Sequence, residues 1–150
     1  MNSDQLRLNE ILSNLTGVIG KSTKSPSVHF DSYITSNVAN SGVVIFDNLR
    51  DSSPQSGFDT SSGKFICPID GTYFFEFYFR SSSSGGNNPG IYVDENLRCF
   101  AGAHETDRSH SCAIVVKLTK GQSVYIKKST TKGIYGGIDD SGFLGFLISE

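Results

Sequence analysis

Several features of common protein classes are missing from this 150-residue chain. No apolar stretch approaches the ~20 residues that a membrane-spanning helix needs. The 13 Lys and Arg residues are matched by 15 acidic residues, so there is no overall positive charge to hold a nucleic-acid backbone. Asp4 and Glu10 lie where a secretion signal needs an apolar block, so an export segment was either removed or never present. A membrane-spanning segment and nucleic-acid binding are therefore disfavoured.

The motifs of common catalytic and metal sites are also absent. His29, His104 and His110 lack the H-E-x-x-H spacing, and no G-x-S-x-G sequence presents a nucleophilic serine. The three cysteines, at separations of 32 and 13 residues, match neither a paired C-x-x-C zinc site nor a redox motif. The sequence therefore predicts that the protein is not an enzyme.

The first part of the chain carries a helical pattern. Between Asp4 and Ile19, apolar residues recur at steps of three and four: Leu8, Ile11, Leu15 and Val18, with Leu12 and Ile19 widening the stripe. The pattern predicts an amphipathic helix of about four turns, and we assign residues 1–24 to the helix and its linker. The spacing is also an a/d heptad, so the stripe packs either on copies of itself in a coiled coil or on its own domain.

From residue 25 to residue 150 the pattern is that of short strands. Runs of β-branched and aromatic residues are separated by Gly, Ser, Asn and Asp clusters, which predicts an all-β domain. The nine predicted strands are Val28–Thr35, Gly42–Asn48, Gly63–Cys67, Gly71–Arg80, Gly90–Val93, Leu97–Ala101, Cys112–Leu118, Ser123–Lys128 and Gly142–Ser149. Cys99 and Cys112 fall on neighbouring strands, so a disulfide between them is possible and would suit an extracellular protein.

The strand from Tyr73 to Phe79 is rich in aromatic residues on both faces. Tyr73, Phe75, Phe77 and Phe79 alternate with Phe74, Glu76 and Tyr78. One face is expected to fill a sandwich core. The other face then needs a cover outside the domain, which makes it a candidate oligomer interface.

The most specific stretch of the sequence runs from Phe46 to Phe77. Its aromatic and glycine positions are Phe46, Phe58, Phe65, Gly71, Tyr73, Phe75 and Phe77. This spacing resembles the signature of the complement C1q globular-head domain. The segments Leu118–Tyr125 and Ser141–Ile148 resemble the "L.kGd.V" turn and the closing strand of that family. The resemblance covers the chain from about Val28 to Glu150.

The resemblance implies a fold, an assembly and a location. The fold would be a ten-stranded antiparallel jelly-roll sandwich of the kind shared with tumour necrosis factors, preceded here by the short helix. The assembly would be a homotrimer, and the protein would be secreted. Calcium is the one cofactor that the resemblance suggests, because some family members hold it near the trimer apex. Glu105 and Asp107 are the matching candidate ligands, and an acidic loop in solvent is the alternative.

Two groups of basic residues are candidate contacts for an anionic ligand. The first lies on and around one predicted strand and comprises Lys117, Lys120, Lys127 and Lys128, for which an ordinary solvated strand edge is the alternative. The second comprises Arg98, His104 and Arg108 in or beside a loop, where arginine can hold a carboxylate by two hydrogen bonds. If the strand surface binds, replacing Lys127 and Lys128 together by Ser should weaken binding and leave the melting temperature nearly unchanged.

The resulting hypothesis is a trimeric, lectin-like molecule of innate immune pattern recognition that binds microbial or acidic glycans. The chain has no Gly-X-Y collagen repeat, which favours the short soluble members of the family. One alternative is a cytokine-like or matrix ligand of a protein receptor. Another is a purely structural trimerisation module.

Overall fold

A computed structural model describes the chain over residues 2–22 and 26–150, with side chains described over residues 2–17 and 26–150. Its helix, α1, spans Ser3–Ser22. The side chain of Asn2 caps the first turn, since its Oδ1 accepts a hydrogen bond of 2.8 Å from the backbone N–H of Gln5. The helix therefore begins at a side-chain oxygen suited to that position.

The apolar stripe of α1 does not pack on the β domain. Leu8, Ile11 and Leu15 are 56%, 64% and 55% exposed. The fourth stripe position, Val18, lies outside the described side chains. Within the described part of the stripe, the alternative of a helix packed on its own domain is contradicted, and its apolar residues have no cover in a single chain.

The rest of the described chain forms two antiparallel sheets from eleven strands. The strands are β1 His29–Tyr33, β2 Gly42–Val43, β3 Asn48–Ser52, β4 Phe58–Asp59, β5 Lys64–Ile66, β6 Gly71–Arg80, β7 Gly90–Val93, β8 Asn96–Phe100, β9 Ser109–Leu118, β10 Ser123–Lys128 and β11 Gly142–Ser149. One sheet has the order β3-β1-β11-β6-β9, and the other has the order β4-β5-β10-β7-β8 with β2 also paired to β10. The expected all-β sandwich is confirmed.

The strand count exceeds nine because the segment from Gly42 to Asp59 is divided. The predicted strand Gly42–Asn48 is not continuous. Its first two residues pair with Lys127 and Lys128 of β10, and at Asn48 the chain begins β3, which pairs with β1 in the other sheet. The chain thus passes from one sheet to the other inside a single β-like run, which the sequence pattern does not reveal.

Aromatic side chains fill the space between the sheets. On β6 the residues Tyr73, Phe75, Phe77 and Phe79 are all at most 1% exposed, as their alternation predicts. The ring of Phe75 lies 5.1 Å from that of Phe65 in the opposite sheet and 6.1 Å from that of Phe143 on β11. The core is therefore a network of rings joining both sheets.

The outer face of the five-stranded sheet carries apolar side chains as well. Phe74 on β6 lies between Val115 on β9 and Phe146 on β11 in the strand register. The rings of Phe74 and Phe146 are 5.2 Å apart, while Val115 and Phe146 remain 59% and 43% exposed. We call Phe74, Val115 and Phe146 the apolar face.

Candidate ligand-binding surfaces

The lysines of the predicted strand surface do not lie together. Lys117 is exposed on β9 in the five-stranded sheet, whereas Lys127 is exposed on β10 in the six-stranded sheet. Lys120 lies in the turn between them, where its backbone N–H donates a hydrogen bond of 2.7 Å to Asp70. The first group of basic residues is therefore distributed over two sheets and a turn, and it does not form one anion-binding surface within a single chain.

Lys128 is buried, and its expected contact with a ligand is wrong. The residue is 1% exposed because alternation along β10 turns it to the core side, next to the buried Ile126. Its Nζ donates hydrogen bonds of 2.9 and 2.8 Å to the backbone carbonyls of Thr130 and Lys132. Burial lowers the pKa of Lys128 below its ordinary value of 10.5. Lys128 thus anchors the loop after β10 through hydrogen bonds from the core side of the sheet.

Lys127 belongs to a different arrangement on the outer face of the six-stranded sheet. The rings of Tyr92 and Tyr125 stack there at 5.7 Å. The Nζ of Lys127 lies 5.5 Å from the centroid of Tyr92, and that of Lys64 lies 4.8 Å from the centroid of Tyr125. Both lysines are thus engaged by cation–π contacts that help to cover the tyrosines.

The loop residues of the second group surround a cavity. A space of about 290 Å³ between β8 and β9 is lined by Gly102, His104, Glu105, Arg108 and His110. The Nε of Arg108 donates a hydrogen bond of 2.9 Å to Glu105. We call this space the loop cavity. It brings together two of the predicted contacts, His104 and Arg108.

The backbone of the loop cavity is tied down at several points. A disulfide links Cys99 on β8 to Cys112 on β9, with the Cα atoms 6.4 Å apart, so it closes the segment that contains the cavity. The carbonyls of His104 and Arg108 each accept a backbone hydrogen bond of 2.9 Å, from the N–H groups of Gly85 and Ser81 respectively. The cavity is therefore held by a covalent link and by the loop after β6.

A family model described as the C1q domain matches residues 27–148. The chain belongs to the C1q domain family. The A-type subcomponent of mouse (Mus musculus) complement C1q is 34% identical over 128 residues, covering 71% of this chain and 46% of that protein. The same subcomponent of Rattus norvegicus is 32% identical over 123 residues, with the same two coverages. This C1q chain thus spans about half the length of the curated relatives that it matches.

Solved structures agree with this fold. The globular domain of zebrafish complement 1qA superimposes with a TM-score of 0.64 at 21% identity, covering 82% of this chain and 98% of that one. The Eiger TNF structure from S. frugiperda gives a TM-score of 0.65 at 10% identity, covering 84% and 95%. At these identities the likeness concerns the fold alone, a C1q and tumour necrosis factor type of jelly roll. No helix in the described residues has the length and hydropathy to cross a membrane.

The predicted calcium ligands of this C1q domain do not fit a calcium site. Glu105 is paired with Arg108, and Asp107 lies 3.4 Å from the guanidinium of Arg80. Within residues 2–22 and 26–150 no group of three or more acidic, histidine or cysteine side chains is placed to hold a metal. Calcium needs six to eight oxygen ligands, and these two carboxylates are already used by arginines. Arg98 is exposed on β8 and does not line the loop cavity.

Sequence reasoning missed two features of this region. His110 lines the loop cavity, and its ring stacks on Phe79 at 5.7 Å. Arg80 lies over the ring of Tyr135 and donates a hydrogen bond of 2.8 Å to Asp140. Alternation along β9 could have placed His110 beside the core, but no short motif links Arg80 to partners so distant in the chain.

Proposed function

We propose that this C1q domain is a non-enzymatic recognition head that acts outside the cell as a homotrimer. Each head would bind a glycan weakly, and three heads on one particle would bind a microbial surface firmly. This role belongs to innate immune pattern recognition. It accords with family membership and with the similarity to the A-type subcomponent of complement C1q.

The apolar face is the observation that carries the proposal. Val115 and Phe146 are 59% and 43% exposed on a sheet whose other side is already filled by core aromatics. Apolar side chains clustered on the exposed side of a sheet mark a contact with another protein surface. A second and third copy of the same chain would cover them, and the heptad stripe of α1 would be covered in the same assembly.

Sedimentation equilibrium at micromolar concentration tests the assembly. We expect a mass of about three chains of 16.2 kDa each. Phe146→Glu places a charge in the apolar face and should yield monomers. Leu97→Glu is the matched control, because Leu97 is 49% exposed on β8 in the other sheet. A wild-type monomer, or an equal effect of the two variants, would refute the apolar face as the trimer contact.

A glycan array tests the recognition role. Binding to microbial glycans by the trimer, and its loss on the same array for the monomeric Phe146→Glu variant, would support a multivalent lectin-like head. A trimer that binds no glycan, but binds cells only while their surface proteins are intact, would instead support a ligand of a protein receptor. The likeness to Eiger TNF does not favour that alternative, since it concerns the fold alone.

A further inference from the structure

We propose that the loop cavity is the ligand site of the head and that it binds a sugar carrying a carboxylate group. This inference rests on the proposed recognition role and names its ligand class. The site comprises Arg108, His104 and His110, with Glu105 as a positioning residue. It excludes Lys128, and it does not depend on the exposed lysines of β9 and β10.

The guanidinium of Arg108 supplies the main anion contact. An arginine carries five N–H donors, and here Nε is bonded to Glu105 at 2.9 Å. The structure gives the Arg108 side chain no other hydrogen bond among the described residues. Its terminal nitrogens therefore remain able to hold both oxygens of a planar carboxylate. Glu105 restricts the rotation of the guanidinium and so reduces the entropy lost when the ligand binds.

His110 forms part of the wall of the same cavity. Its Nε2 is buried and has no hydrogen-bond partner, while the ring is fixed by stacking on Phe79. Because Nε2 is buried, a sugar in the cavity would contact the ring of His110 and not that nitrogen, so His110 acts as a fixed wall of the site.

The cavity has the size and the balance of charge for such a ligand. Its volume is about 290 Å³, near the lower end for small-molecule sites. The lining holds one arginine and two histidines against a single carboxylate, and that carboxylate is already paired with the arginine. An incoming anion therefore meets donors rather than an unpaired negative charge.

The site is also separate from the proposed trimer contact. His110 and Val115 lie five positions apart on β9, which is about 17 Å along a strand. The cavity lies at the start of β9, within the segment closed by the Cys99–Cys112 disulfide. Assembly through the apolar face therefore leaves room for a ligand at the loop cavity.

Isothermal titration of the trimer with glucuronic acid, glucose and glucose 6-sulfate tests this assignment. We expect glucuronic acid to bind and glucose to bind at least about tenfold more weakly, because loss of the carboxylate leaves Arg108 unpaired. Arg108→Gln should weaken glucuronic acid binding about tenfold or more. Arg98→Gln is the matched control, since it removes the same charge from an exposed residue outside the cavity, and should change affinity less than about twofold.

His110→Phe separates a binding role from a packing role. Phenylalanine can keep both the stacking on Phe79 and the wall of the cavity, so we expect glucuronic acid binding within about twofold of wild type and an unchanged melting temperature. Equal affinity of wild type and Arg108→Gln would overturn the inference, as would an equal loss in Arg98→Gln. Equal binding of glucose 6-sulfate would overturn the carboxylate assignment. If the trimer binds array glycans but not glucuronic acid, this inference fails while the proposed function stands.

Discussion

Lys128 offers the sharpest test of the structure, because sequence and structure predict opposite results for its replacement. As an exposed ligand contact, it could be replaced without effect on stability. In the structure it is 1% exposed, and its Nζ holds the carbonyls of Thr130 and Lys132. Lys128→Met keeps a similar length and removes both hydrogen bonds, so we expect a less stable protein.

The expected loss follows from two opposing effects. Each hydrogen bond from a charged donor contributes about 1.5 to 3 kcal/mol, which gives about 3 to 6 kcal/mol for two. Removing a buried charge recovers part of its desolvation penalty, and the freed carbonyls lie in a partly exposed loop where water can reach them. We therefore expect a net loss of about 2 kcal/mol in the free energy of unfolding.

The effect should also depend on pH. Burial lowers the pKa of folded Lys128, so between that lowered value and 10.5 the unfolded chain binds more protons than the folded chain. The free energy of unfolding therefore rises with pH across this window. This gain in stability is lost as pH falls back through the folded pKa of Lys128. The difference in the free energy of unfolding between wild type and Lys128→Met should therefore shift in favour of the wild type between about pH 7 and about pH 10.

Urea unfolding of both proteins at the two pH values measures these differences. Lys127→Met is the matched control, because Lys127 is the exposed neighbour on the same strand, and loss of its exposed cation–π contact with Tyr92 should cost no more than about 1 kcal/mol. If Lys128→Met matched the wild type within that margin at both pH values, the reasoning from burial would be wrong. Equal destabilisation of Lys127→Met and Lys128→Met would also contradict the reasoning from burial.

Two further predictions concern the aromatic core. Phe75→Ala should lower the free energy of unfolding by ~3 to 5 kcal/mol, measured by urea titration, because its ring is fully buried among other rings; a loss below ~1 kcal/mol would show that β6 is misplaced. Gly145→Ala should cost about 1 to 3 kcal/mol, since the added Cβ overlaps Phe75 and lies 2.9 Å from Phe30; a variant with an unchanged melting temperature would contradict this packing.

Much of the fold could be predicted because local pattern and final environment agree. The alternation of Tyr73, Phe75 and Phe77 is set by the strand itself, and burial follows directly. The resemblance to the C1q family is confirmed by the family model over residues 27–148. The division of Gly42–Asn48 was not predictable, because the change of sheet depends on pairing with the distant β10 and β1.

The candidate site was predicted less well, and the lysine run shows why. A run of like charges along the chain says nothing about a surface when neighbouring residues of a strand point to opposite faces. Lys127 and Lys128 are adjacent in sequence, yet one is exposed and the other is 1% exposed. His104 and Arg108 line the same cavity because both belong to one short loop, which the sequence does show. His110 was missed because its role depends on stacking against Phe79 from another strand.

The placement of the two proposed surfaces on β9 has a consequence for how such a head would work. Inward-facing His110 and outward-facing Val115 share a rigid strand, but neither contacts the other. A small acidic sugar buries little area in a cavity of about 290 Å³, so a single head is expected to bind weakly. Firm binding by the proposed trimer would then depend on the apolar face, because joining three weak sites raises avidity by about 10² to 10⁴ only on a surface that presents many copies of the sugar. The proposed arrangement would thus favour repetitive surfaces over free sugars without requiring high affinity at any one site.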